Sequence, residues 1–225
     1  MTDFRGFRGA AKPLEDLDLP RIGRKIDVGE DELHAFVDVE SAGRGFGPEG
    51  RPIILYEPHV FYRQLPNDRK GPNWHLHPDI CYPRWGAKPY PKTQDARYKQ
   101  LERAIKIDEA AGLKACSWGL TQILGENYRA AGYDSVQEMV LAFMDDEDAH
   151  LEATVKVLQS MGIDDDLRAH RWAVVAARWN GPGYAKNEYD VRLKRAYEKW
   201  RKIKDTLFTL ELLRTATPGA EVLVG

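Results

Sequence analysis

At 225 residues and 25.6 kDa, the chain is long enough for one sizeable core. Apolar residues make up 43% and charged residues 30%, the balance of a folded protein rather than a disordered one. With 33 Lys+Arg against 35 Asp+Glu the net charge is −2, which argues against a general nucleic-acid binder, whose affinity rests on a basic excess.

Residues 1–29 are polar, rich in Gly, Pro and charge, and without periodicity; they read as an N-terminal arm. A helix is predicted after Gly29, opened by Glu30, Asp31 and Glu32, which complement the positive end of a helix dipole. Leu33, Phe36 and Val37 form its apolar face, and the same face continues to Glu40, a carboxylate where an apolar residue is expected. The glycines at 43, 45 and 47 end it. Ile53 to Tyr56 is an apolar run suited to a short strand or buried segment. Residues 66–92 hold six prolines among Trp74, Tyr82, Trp85 and Tyr90, and read as a long, stiffened loop.

Gln94 onward reads as helical, with faces through Tyr98–Ile105, Val136–Phe143, Leu151–Met161 and Trp172–Ala177. Ala115 to Tyr128 reads as a helix start carrying a polar Gln122, and Asn180-Gly-Pro-Gly as a turn. A last long helix is predicted over about 188–214. Its three-and-four spacing (Leu193, Trp200, Ile203, Leu207, Leu210) would also suit self-association through its C-terminal half. The class is mainly α, with a small β/loop region near 44–92, and residues 30–225 form one domain extended by a helix from about 200.

No run of 18 apolar residues and no ordinary secretory signal is present, so neither stable membrane insertion nor unaided export is expected. Cys81 and Cys116 are far apart and form no CxxC, which suits a reducing cytosol. His75, His77, Cys81 and His59 match no common zinc spacing; no metal and no cofactor is expected. The last helix clusters basic residues, which a solvated face or an anionic surface would explain.

Glu40 is the first chemical candidate. A carboxyl on a buried helix face has its pKa raised by desolvation and stays protonated, as a general acid must. Four stretches then stand in order: Val39-Glu40-Ser41-Ala42-Gly43-Arg44-Gly45-Phe46, Leu55-Tyr56-Glu57-Pro58-His59-Val60-Phe61, Cys116-Ser117-Trp118-Gly119-Leu120-Thr121-Gln122-Ile123, and Trp179-Asn180-Gly181-Pro182-Gly183-Tyr184 through Asp190. Together they resemble the N-acetylmuramidase domain of modular phage endolysins, over about residues 30–200, within the lysozyme-like fold shared by soluble lytic transglycosylases and goose-type lysozymes.

The resemblance implies cleavage of peptidoglycan at the β-1,4 bond from N-acetylmuramic acid to N-acetylglucosamine. Glu40 would be the general acid, with Glu57 as its rival. Glu57, His59, Trp118, Gln122, Trp179, Asn180 and Tyr184 would bind the glycan strand. Two departures stand out: Trp179 replaces the usual Tyr before the Asn, and only the arm precedes the domain, so no separate wall-binding module is expected. A second carboxylate is left open among Glu57, Asp108, Glu109 and the run Asp145–Asp148. Without one, a lytic transglycosylase giving 1,6-anhydro products is the alternative, and a non-catalytic phage structural or wall-binding protein on the same fold is another. The protein would wait in the host cytoplasm for a holin, or travel with a virion.

Overall fold

The structure is a computed structural model and describes residues 2–41 and 44–206, with the side chain of Ser41 also outside the description. The mainly α expectation holds. Among the described residues there are eleven α-helices and one small sheet: α1 (Asp18–Gly23), α2 (Glu30–Ser41), α3 (Pro58–Gln64), α4 (Asn67–Leu76), α5 (Gln94–Ile107), α6 (Glu109–Lys114), α7 (Val136–Asp145), α8 (Glu147–Met161), α9 (Asp164–Arg168), α10 (Trp172–Asn180) and α11 (Tyr189–Trp200). Strands β1 (Ile54–Tyr56), β2 (Cys116–Trp118) and β3 (Ile123–Leu124) pair antiparallel in that order, with Ile54 opposite Trp118 and Trp118 opposite Ile123.

The helix starts follow local chemistry. Thr93, Asp108, Ser135 and Asp146 cap α5, α6, α7 and α8, each accepting a bond from a first-turn N–H, as in Ala111 N to Asp108 Oδ1 at 3.0 Å. Pro58 opens α3, where its missing N–H is not needed. Gly162, at φ +62, closes α8.

Two hydrophobic cores share one helix. The first gathers the sheet, α3, α5, α6 and α7 around Tyr56, Phe61, Tyr98, Trp118 and Phe143. The second gathers α1, α2, α10 and α11 around Ile22, Leu33, Phe36, Val175 and Leu193. Helix α8 faces both, giving Ala153 and Val157 to the first core and Leu151, Val155 and Leu158 to the second. A helix apolar on two sides belongs at the centre.

The structure departs from the sequence expectations in four places. Residues 2–29 do not project as an arm: Phe4 and Phe7 enter the first core, and Leu19, Ile22, Ile26 and Val28 the second. These side chains are spread over 3₁₀ turns and a six-residue helix, so no single period betrays them. Part of the 66–92 loop is helical, as α4. It tolerates Pro72 because it is an exposed helix, held by Arg69 to Asp108 (3.0 Å) and by Asn73 Nδ2 to Arg69 O (2.8 Å).

The segment 115–128 is a strand hairpin rather than a helix start. Gly119 at φ +66 and Gln122 at φ +53 turn the chain between β2 and β3, and a helix admits neither angle. The last helix ends at Trp200, not near 214. Trp200 stacks on His34 at 3.8 Å and donates from Nε1 to Asp38 Oδ2 (2.8 Å), and beyond it the Thr206 N–H reaches Glu30 Oε1 (2.6 Å), so the chain turns back onto α2. Leu207 and Leu210, on which the self-association expectation rested, lie outside the described residues. No described helix is long and apolar enough to cross a membrane.

Candidate active site

A cleft of about 530 Å³ opens where the two cores meet. Val157 and Met161 of α8 contribute to its lining, Glu57 and the β2–β3 hairpin (Ser117, Gln122, Ile123, Leu124) form one side, and Trp179, Asn180, Asn187 and Tyr189 form the other. Trp85 stands beside them. Four expected site residues therefore meet here: Glu57, Gln122, Trp179 and Asn180.

Glu40 does not itself line the cleft but is bonded to Asn180, which does. Asn180 Nδ2 donates to Glu40 Oε1 at 3.1 Å, which joins the end of α2 to the end of α10. Burial raises the pKa of Glu40, while Asn180, Arg192 and Trp179 pull it back. Arg192 also donates from Nη2 to Val39 O (2.9 Å), a cation placed at the negative end of α2. The indole that replaces the usual Tyr thus still presents a polar handle to the acid, and its ring packs edge-on against Phe36 with centroids 4.8 Å apart.

Glu57 caps the approach to α3. The Tyr90 hydroxyl donates to its Oε2, and His59 Nδ1 lies 3.3 Å from the same oxygen. Burial raises the Glu57 pKa and lowers that of His59, so His59 is neutral near pH 7. It contacts Glu57 and is not itself among the residues that line the cleft.

Gln122 is fixed by its own donors: Nε2 reaches Gly119 O (2.8 Å) and Ile53 O (3.1 Å), leaving Oε1 without a protein donor among the described residues. Asn180 Oδ1 is buried in the cleft wall and has no hydrogen-bond partner among the described residues. An amide with an unpaired acceptor at a cleft suits a ligand that brings N–H or O–H donors.

The hairpin turn is held from beneath by His150. Its Nδ1 accepts from Leu120 N (3.1 Å), so Nε2 carries the proton donated to Phe143 O (2.7 Å). A Cβ on Gly119 would sit 2.5 Å from His150 Nδ1, so this site requires glycine for space as well as for φ.

Besides His59, two more expected binding residues lie outside the cleft lining. Trp118 is fully buried, and its Nε1 donates to Leu113 O (3.0 Å); it belongs to the first core. Strand alternation explains the difference, since Ser117 faces the cleft and Trp118 the opposite side. Tyr184, in a 3₁₀ turn after α10, packs on the second core and does not line the cleft. The other acidic candidates have structural partners. Asp108 caps α6, Glu109 accepts from Thr2 and Gln137, Asp145 from Ala10, and Asp146 caps α8. Glu147 accepts from Gly45 N (2.6 Å) and Leu14 N (3.0 Å), and Asp148 pairs with Arg21.

Sequence reasoning did not single out Trp85, Tyr90, Ser117, Asn187 or Tyr189 as site residues. Asn187 and Tyr189 fall inside the fourth motif stretch, and the aromatic, proline-rich composition of the loop was the only sign of the first two.

The family model for N-acetylmuramidase matches residues 30–201. The chain belongs to the N-acetylmuramidase family. Among solved structures it is similar to the crystal structure of the Burkholderia AP3 phage endolysin, at 36% identity and a TM-score of 0.76, covering 85% of this chain and 73% of that one. No curated protein matches. As a member of this family with this fold, it is a peptidoglycan-degrading endolysin. Among its described residues no group of three or more His, Cys, Asp or Glu could hold a metal ion.

Proposed function

We propose that this endolysin hydrolyses the β-1,4 bond from N-acetylmuramic acid to N-acetylglucosamine, with Glu40 as the general acid. The observation that carries the reading is the Glu40–Asn180 bond, which ties a largely buried carboxyl to a residue that lines the cleft. Its raised pKa keeps more of it protonated near neutral pH. The Glu40 proton passes to the glycosidic oxygen as the C1–O bond breaks, and water adds at C1. Gln122 Oε1 accepts from an acetamido N–H or hydroxyl group of the glycan, beside Asn180. Glu57 is the second carboxyl; when ionised it takes a proton from the attacking water, steadied by Tyr90 and His59.

One observation favours a second reading. Burial raises the pKa of Glu57 too, and a protonated Glu57 accepts no proton. In that case the sugar's own 6-hydroxyl attacks C1, Glu40 acts as acid and then base, and the product is a 1,6-anhydro sugar. The place of action is the cell wall, reached through a holin lesion or from a virion.

Mass spectrometry of fragments released from purified peptidoglycan tests both. Reducing-end muramic acid supports hydrolysis, and fragments lighter by one water support the transglycosylase. Glu40→Gln should lower the rate about 10²–10⁴-fold with its circular dichroism unchanged. Retained activity in that variant sinks the assignment of Glu40. Wall binding without released fragments would make the protein a non-catalytic binder.

A further inference from the structure

We propose that Trp85 is a stacking platform for one pyranose ring of the glycan strand, a subsite at the rim of the cleft. The proposal rests on the muramidase reading above. Trp85 is 73% exposed, yet it lines the same cleft as Glu57, Gln122, Trp179 and Asn180. A single exposed apolar residue on a surface is ordinary. An exposed indole beside a row of amides is a different case, because that pairing is what a β-1,4-linked amino-sugar strand needs. Its rings present flat C–H faces to an aromatic plane, and its acetamido and hydroxyl groups require hydrogen-bond partners.

The segment that carries Trp85 is braced. The Tyr90 hydroxyl donates to Glu57, Lys88 Nζ to Pro78 O (2.7 Å), and Arg97 Nε to Pro91 O (3.0 Å). Pro78, Pro83, Pro89 and Pro91 restrict its backbone further, and Gly86 at φ +69 turns it just past the indole. An indole held in place loses little conformational freedom when a ligand lands on it, so more of the stacking energy appears as affinity.

The platform is also joined to the chemistry. The Trp85 side chain reaches the Tyr90 phenol, and Tyr90 holds Glu57. A ring seated on Trp85 is therefore linked to Glu57 through Tyr90.

The test compares Trp85→Ala and Trp85→Phe with the parent protein on purified, peptide-free glycan strands. The Ala variant should raise KM about five- to tenfold, with the loss carried mainly by KM, and Phe should restore most of it. In the parent, strand binding should quench the solvent-exposed part of the tryptophan emission, and that quench should be missing from both variants. Parent activity with an unchanged KM and an unchanged quench in Trp85→Ala overturns the platform and leaves the muramidase reading standing. A parent protein that neither binds nor cleaves the strands overturns both.

Discussion

Asn180 donates a 3.1 Å hydrogen bond to Glu40 across 140 residues of chain, and in doing so it sets the acidity of the residue it holds. The bond favours the ionised carboxyl, so it lowers a pKa that burial has raised. Asn180→Ala should therefore raise the Glu40 pKa further. A general acid works while protonated, so activity disappears as pH rises through that pKa. The basic limb of the kcat/KM profile should move to higher pH in the variant, with a lower plateau from lost positioning. A basic limb that stays in place or moves down would remove Glu40 from the role of acid.

Tyr90 acts on Glu57 in the same sense. Its hydroxyl donates to the carboxylate and opposes the effect of burial, so Tyr90→Phe should raise the Glu57 pKa. If Glu57 works ionised, activity is lost as pH falls through its pKa, and the acid limb should move to higher pH. An unshifted acid limb, with anhydro products, would take Glu57 out of the reaction and favour the transglycosylase.

His150 makes stability depend on pH. Burial pushes its pKa down to about 4. The unfolded chain, near the ordinary value of about 6.5, binds the proton first as pH falls. His150 thus contributes stability that is complete above about pH 6.5 and lost by about pH 4, on the order of 3 kcal/mol. Asp148, raised by burial to about 6, works in the opposite direction over part of that window. The contribution is therefore read as a difference: between pH 4 and 6.5 the melting temperature of His150→Gln should fall less steeply than that of the parent. Parallel curves would contradict it.

Gly119→Ala combines a positive φ with a Cβ driven into the imidazole of His150. Strain and overpacking together should cost about 3 kcal/mol or more. In a chain of this size that is a fall of roughly 6–12 °C in melting temperature. A wild-type melting temperature would mean that the hairpin has room to move away from α8.

Much of this site was legible. Glu40, the proposed acid, emerged from a helix face whose next position should have been apolar, and the amides emerged from motifs that are local in sequence. Pairing between distant segments was not. Trp118 was expected at the sugar because it sits in a motif, but its partner Ile54 lies in a different segment, and only that pairing decides which face of β2 is buried. The same holds for Tyr90, whose value depends on Glu57 far upstream, and for α11, whose end is set by His34 and Asp38 rather than by its own periodicity.

The family match begins at residue 30, but the folding unit begins earlier. Phe4, Phe7, Leu19, Ile22, Ile26 and Val28 are buried, at about 1.5–3 kcal/mol each, against a whole-domain stability of about 5–15 kcal/mol. They are divided between the two cores whose junction forms the cleft, and the Thr2 N–H is already bonded to Glu109. Residues 2–29 are a clasp across the two cores. Any engineered endolysin that grafts the catalytic region by its family boundary would lose that clasp, and with it a support of the junction between the two cores where the cleft lies.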